Sequence, residues 1–439
     1  MPTMHVSFVS RLSLGLLILF VANSLSASPS PATELDGLRA QVAAQEQRIA
    51  ELEQLVRRLL PVVDTVVGPE IPASGPVART EAQAVSVQSA NPAISLPPQS
   101  KPKGTLKWYG FVKVSASYDT QQVHTGNLGY FVRQVDRADR RGDFNLTARE
   151  TRIGLKWDEL EAAFPLSGLI EADFYGSSGE TVAAPRLRLA YLDVTAGQWR
   201  FRAGQDWDTV VLFHPRTVNF GLMGTGGHLW GRRPIARATR VFGDPASNVS
   251  ASVGVARPNE QGDDLPTFES RILWERKMRG RMFTFGVSGS FGQESVATHL
   301  DDFRSRVIVV GARIPLTDSI RLSGNFWAGE NLSRWQGGVQ QGINLDAGVS
   351  IASHGGWLQM ELPVTEKVTF ALGGGFDNPA DGDLSPGMRS HNRHLSGSFF
   401  YEVSPRWCLM SEYTHLQTGY KDQATEQSHR VQGAVQLGF

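Results

Sequence analysis

The feature that most constrains this chain is a two-residue alternation that starts near residue 105 and recurs to residue 439. In "TLKWYGFVKVSASYD", Leu106, Trp108, Gly110, Val112, Val114, Ala116 and Tyr118 fall on one side of an extended segment. Lys107, Lys113, Ser115, Ser117 and Asp119 fall on the other. The stretch "VQGAVQLGF", residues 431–439, repeats the pattern with Val431, Gly433, Val435, Leu437 and Phe439 opposite Gln432, Ala434 and Gln436. This is the period of a strand with chemically different faces. A strand left open at a sheet edge recruits other strands through its unpaired N–H and C=O groups, so a sheet ending this way calls for closure.

The same alternation predicts strands over 106–118, 144–157, 168–176, 185–194, 198–206, 232–241, 247–256, 267–275, 281–291, 304–313, 319–329, 345–362, 368–376, 393–403, 407–416 and 428–439, sixteen in all. The connections between them have a rhythm. Gaps 119–143, 177–184, 207–231, 257–266, 292–303, 330–344, 377–392 and 417–427 are long or polar. The interleaved gaps are mostly tight, such as "TAG", "GDPAS", "RKMRG", "LTDS", "PVTEK" and "SPR"; only 158–167 is longer than its class. Short turns alternating with long loops are the signature of an outer-membrane barrel, and an even strand number places both ends of the barrel on the periplasmic side. The expected fold class is therefore all-β and transmembrane: a closed antiparallel 16-stranded barrel in which the last strand pairs with the first.

A large soluble β-sandwich could show the same alternation. Against it stand the loop rhythm, an N-terminal export signal, and aromatic residues near strand ends: Trp108, Tyr109, Trp157, Tyr175, Tyr191, Trp199 and Phe439 are expected in interfacial girdles. Beyond the N-terminus no apolar run is long enough for a helical span. The formal net charge of +0 gives no basic excess for nucleic acid. The single cysteine, Cys408, excludes an internal disulfide framework and a cysteine-rich metal site.

Four regions follow. Arg11, the apolar "LSLGLLILFVA" and the small residues "NSLSAS" read as a signal peptide over 1–27, cleaved after Ser26 or Ala27. Over 33–60, Leu35, Leu38, Val42, Gln45, Ile49, Leu52, Val56 and Leu59 step by three and four, the seam of a coiled coil. Glu34 with Arg39 and Arg48 with Glu53 favour parallel, in-register chains, and Gln45 adds one polar layer. β-branched and leucine seam positions lean toward two chains, whereas "RIAELE" resembles a motif of short parallel trimers; three chains are expected. A proline-rich linker occupies 61–104 and the barrel 105–439.

Inward charges set the field in a water-lined barrel. Between Pro185 and Val241 stand Arg186, Arg188, Arg200, Arg202, Arg216, Arg232, Arg233, Arg237 and Arg240, nine arginines against Asp193, Asp206 and Asp208. Arg186 and Arg188 are expected opposite lipid-facing Leu187 and Leu189, and Arg200 and Arg202 opposite Phe201 and Ala203. Arg152 and Lys156 add to this wall from the second strand. Arginine holds carboxylate or phosphate bidentately and keeps its charge, so anion preference is one reading. The other is a structural network in which the arginines neutralise inward Glu150, Glu171 and Asp173. The apolar, glycine-rich 207–231 is expected to fold into the lumen and narrow it, with Asp208, His214, Arg216 and His228 facing the solute. His214 and His228 lack the carboxylate pattern of a metal site, and no metal or cofactor is expected.

The signal, short coiled coil, proline-rich spacer and the motifs "WYGFVKVSASYD", "ARETRIGLKW", "GLIEADFYG", "RLRLAYLDV", "RAGQDWD" and terminal phenylalanine resemble the DcaP-like outer-membrane porins of Gram-negative bacteria. That resemblance covers nearly the whole chain. It implies a homotrimer of 16-stranded barrels in the outer membrane, a periplasmic coiled coil, and passage of small anions such as di- and tricarboxylates. Arg152, Arg188, Arg202, Arg233 and Arg237 match its recurrent inward basic positions. Arg257 before Pro258 departs from the acidic residue expected there. Outer-membrane lipid, lipopolysaccharide and the barrel-assembly machinery are the implied partners. The rivals are a phosphate- or sugar-selective porin, and a barrel enzyme such as a phospholipase, for which no outward histidine has an evident serine partner.

Overall fold

The computed structural model describes residues 104–159, 164–177, 182–258, 265–296 and 302–439. The seam of the coiled coil, the signal peptide and nearly all of the linker lie outside the described residues. Seventeen segments form one hydrogen-bonded sheet, and two of them pair in succession with the first strand as halves of one strand, so the ring has sixteen. They are β1 (Thr105–Asp119), β2 (Asp143–Thr147 and Arg152–Glu159), β3 (Leu166–Asp173), β4 (Arg186–Ala196), β5 (Trp199–Trp207), β6 (Arg232–Asp244), β7 (Ser247–Ala256) and β8 (Thr267–Met278). The second half comprises β9 (Arg281–Glu294), β10 (Phe303–Pro315), β11 (Arg321–Glu330), β12 (Ala352–Pro363), β13 (Val368–Pro379), β14 (Arg389–Ser404), β15 (Trp407–Tyr420) and β16 (Glu426–Gly438). Each strand is antiparallel to its neighbours. β16 closes on β1 in register from Phe111↔Gly438 to Asp119↔Arg430. The edge that the alternation left unsatisfied is thus paired.

The faces are inverted relative to a soluble protein. On β1, Lys113, Ser115, Ser117 and Asp119 are buried, while Trp108, Val112 and Val114 are exposed. On β16, Ser428, Arg430 and Gln432 are buried and Val431, Val435 and Leu437 exposed. Polar inside and apolar outside is the economical arrangement only where the outer solvent is hydrocarbon. No helix among the described residues is long and apolar enough to cross a membrane.

The structure corrects several boundaries. β2 is interrupted over 148–151 because Arg149 turns inward and donates to the carbonyls of Phe174 at 3.2 Å and Ser177 at 3.0 Å. Across that gap, Thr151 Oγ1 accepts the amide of Lys113 at 3.2 Å and replaces the missing ladder bond. β12 begins at Ala352, seven residues later than the alternation suggests. Residues 345–351 belong to a folded loop whose two-residue strands Ile343–Asn344 and Val349–Ser350 continue the pattern. A bulge between Glu171 and Ala172 also shifts the β3–β4 register, and Leu189 is buried rather than lipid-facing.

The girdle expectation divides. Trp108, Trp199 and Phe439 are exposed on the outer wall. Three tyrosines instead face inward: Tyr109 donates to Glu171 at 3.1 Å, Tyr175 stacks on Phe220 with centroids 4.7 Å apart, and Tyr191 lies 3.7 Å from the Arg202 guanidinium. Alternation places them on the polar face, and each hydroxyl or ring finds a partner there.

Ring closure can be checked directly. With Cys408 replaced by serine, Val114→Cys with Val435→Cys, which are register partners across β1 and β16, should form an oxidation-dependent cross-link in folded protein. Its absence in heat-modifiable, folded material would contradict the closed ring.

Candidate functional site

The inner wall from β1 to β8 carries the charges that the sequence singled out. Arg188, 3% exposed, reaches Glu171 at 2.8 Å and Asp173 at 2.8 Å, and Arg186 holds Asp173 at 2.7 Å. Arg152 reaches Glu171 at 3.5 Å, and Lys113 meets Glu150 at 2.6 Å. Further along, Arg200 and Arg202 share Asp193 at 2.6 Å each, while Arg202 at 2.8 Å and Arg237 at 2.6 Å share Asp206. Arg233 joins Asp208 at 2.7 Å to Glu269. Near the end of the barrel where β1 begins and the C-terminus lies, Lys156 pairs with Asp158 at 3.0 Å.

The network from Lys113 to Glu269 holds eight cations and seven carboxylates. The surplus counted over 185–241 therefore shrinks once β3 and β8 supply Glu171, Asp173 and Glu269. Arg240 leaves the wall altogether, lying 5.3 Å and 4.8 Å from the rings of exposed Trp199 and Phe242 on the outside. For these arginines the neutralising role is the one the contacts describe.

Five other arginines line the interior without a carboxylate partner among the described residues. Arg232 lies 5.0 Å from the Trp207 ring and Arg313 4.9 Å from Phe213. Arg271 donates only to the carbonyl of Val211, at 3.2 Å. Arg334 sits over Trp335 and bonds Thr267, and Arg389 sits over Phe131 and bonds the carbonyl of Val339. Aromatic faces hold the guanidinium planes of Arg232, Arg313, Arg334 and Arg389, and buried N–H groups of Arg232, Arg271, Arg313 and Arg334 are left unpaired. Sequence reasoning missed Arg271, Arg313, Arg334 and Arg389. The signal was present for two: Arg271 and Arg313 stand at inward-facing positions of β8 and β10.

Residues 208–231 enter the barrel and cross it. Thr209 N donates to Glu269 at 2.6 Å, Ser288 Oγ on β9 to the Val210 carbonyl at 2.7 Å, and Gln359 on β12 clamps both backbone groups of Arg216. Beyond, Val218 N donates to Glu412 on β15 at 2.6 Å and its carbonyl accepts Lys113 Nζ of β1 at 2.8 Å. On the return path Trp327 Nε1 donates to the Gly227 carbonyl at 2.7 Å. Val210, Phe213, Leu229 and Trp230 of this loop, with Leu332, Trp335 and Val339 of the loop 331–351, bury against Val307, Val309, Trp327 and Trp357 of the inner wall. An apolar core thus occupies part of a polar lumen.

The four loop residues separate. Asp208 and His228 are buried, the first on Arg233 and the second against the carbonyls of Leu222 and Phe213, so neither faces a solute. His214 is half-buried and Arg216 partly exposed, with Glu402 3.7 Å away. Burial, with nearby Arg232, Arg313 and Arg188, pushes the His214 imidazole down to about 4, and burial holds His228 well below the usual histidine range. The two rings meet edge-on with centroids 5.1 Å apart. Among the described residues no group of three or more metal-ligating side chains is assembled.

A closed ring with a charged inner face, an inward-folded loop and an apolar outer face is the fold of the outer-membrane porins. The chain is similar to the outer membrane channel DcaP of Acinetobacter baumannii, at 18% identity and TM-score 0.66 over 78% of this chain and 99% of that one. It is also similar to an anion-selective porin from Comamonas acidovorans (12%, TM-score 0.54, 76% and 100%) and to the trimer form of OmpT, an outer membrane protein of Vibrio cholerae (12%, TM-score 0.51, 76% and 99%). No family model and no curated protein matches the chain. The likeness to DcaP is one of fold.

Removing one member of the buried network should be costly. Arg188→Ala leaves Glu171 and Asp173 without their shared cation and is expected to destabilise the barrel by about 3–5 kcal/mol. A lowered transition in heat-modifiable migration would show it; an unchanged transition would mean that Arg188 is dispensable.

Proposed function

We propose that the chain is an outer-membrane porin through which small hydrophilic anions, dicarboxylate-like in size and charge, diffuse passively. The observation that carries this reading is the set of five interior arginines without carboxylate partners, because the paired network is close to neutral and cannot by itself bias the lumen. Arg232, Arg271 and Arg313 cluster around the inward loop, where a passing carboxylate could exchange its water for guanidinium N–H groups. The porin fold and the anion-selective neighbour support the same reading. The trimeric form of a structural neighbour supports a homotrimer, assembled on our reading through the parallel seam over 33–60, in the outer membrane with that seam in the periplasm.

Two experiments test it. In planar bilayers the triple variant Arg232→Glu, Arg271→Glu, Arg313→Glu should move the reversal potential from anion- toward cation-preferring; an unmoved potential would discard the assignment. Competition of chloride current by a dicarboxylate, by inorganic phosphate and by a neutral sugar separates the carboxylate reading from its rivals.

The loop makes a further prediction. Gly227 has φ +109°, and a Cβ there would come 2.0 Å from the carbonyl oxygen of Gly356. Gly227→Val should unseat the loop from β12 and raise single-channel conductance, whereas an unchanged conductance would mean that the loop does not limit flow.

A further inference from the structure

The outer wall of β11–β14 is not uniformly apolar. Near the end that carries the long loops, outward-facing Phe326, His354, Phe376, Asn378, His391 and Arg393 border an exterior groove of 720 Å³. Strand register builds it. Along one cross-strand row Phe326 pairs with Gly356, Gly356 with Phe376, and Phe376 with Arg393. The next row toward the terminus end runs Gly324, Leu358, Gly374 and Leu395. Glycine at alternate places leaves a stepped floor without side chains between aromatic walls.

The chemistry is graded along the groove. At its loop end His354 lies between the rings of Phe326 and Phe376, at 6.4 Å and 6.1 Å, and Arg393 is exposed without a carboxylate partner among the described residues. Asp381, on the exposed loop after β13, is the carboxylate whose field reaches His391. Toward the terminus end the groove adjoins a second trough of 640 Å³ bordered by Ile314, Leu322 and Leu358. Cationic and hydrogen-bonding groups thus cap an apolar slot at the edge of the lipid-facing band. A protein partner would not require this gradient along the membrane normal, whereas a lipid with an anionic head and acyl tails has the same one.

We propose that this groove binds a phosphate-bearing glycolipid of the outer leaflet, the headgroup phosphate on Arg393 with His354, His391 and Asn378, and an acyl chain over Gly356 and Gly374. Arginine suits phosphate through its bidentate fork. The site lies outside the pore and is separate from solute passage.

The test uses the full chain in detergent, with bis-phosphorylated lipid A as the probe followed by native mass spectrometry. Wild type should retain it saturably and bind dephosphorylated lipid A at least about tenfold more weakly. Arg393→Glu should cost at least about tenfold in affinity for the bis-phosphorylated form, with heat-modifiable folding and single-channel conductance unchanged. The double variant His354→Ala, His391→Ala should fall between the two. Equal retention by Arg393→Glu, or phosphatidylglycerol bound as tightly as lipid A, would overturn the proposal. So would oxidation-dependent cross-linking between copies carrying Asn378→Cys in a Cys408→Ser background, which would show a second chain on the groove.

Discussion

Everything in this structure depends on the satisfaction of backbone hydrogen bonds where no water can supply them. A spanning strand in hydrocarbon cannot leave an N–H or C=O unpaired, and only a ring pairs all of them. β16 therefore has to meet β1, and the register from Phe111 to Asp119 delivers that contact. Once the ring exists, the two-residue period forces every second side chain inward, and the interior must accept lysine, serine, aspartate and arginine from all sixteen strands.

That interior solves two problems at once. Burying Glu171, Asp173, Asp193 and Glu269 in a protein wall is costly unless each carboxylate meets a cation, and the arginines of β4, β5 and β6 meet them in shared, branching pairs. The wall gains rigidity and gives up most of its net charge. Outside the paired wall five arginines carry no carboxylate partner among the described residues, and three of them, Arg232, Arg271 and Arg313, border the loop that enters the lumen. On the proposed reading, scaffold and selectivity fall to different arginines.

Much of the fold was legible because the strand period is simple and the outer solvent is uniform. Alternation located fifteen strands closely and failed at β12, where the loop continues the same period, and at 148–151, where Arg149 turns the chain inward. The site was less legible. The sequence offered inward Glu150, Glu171 and Asp173 as neutralising partners but could not decide between that role and anion preference, and it did not bring in Glu269 from β8. Nor could the sequence show that Asp208 and His228 are buried, since their partners, Arg233 and the carbonyls of Leu222 and Phe213, are fixed only when the loop crosses the barrel. Arg271 and Arg313 were accessible to parity reasoning; Arg334 and Arg389 owe their positions to loop packing.

The most direct measurement is the zero-current potential of the unmodified mature protein in a planar bilayer under a potassium chloride gradient. The account predicts ohmic channels whose potential has the sign of chloride preference. Channels preferring potassium, or purified folded protein that inserts without conducting, would contradict it.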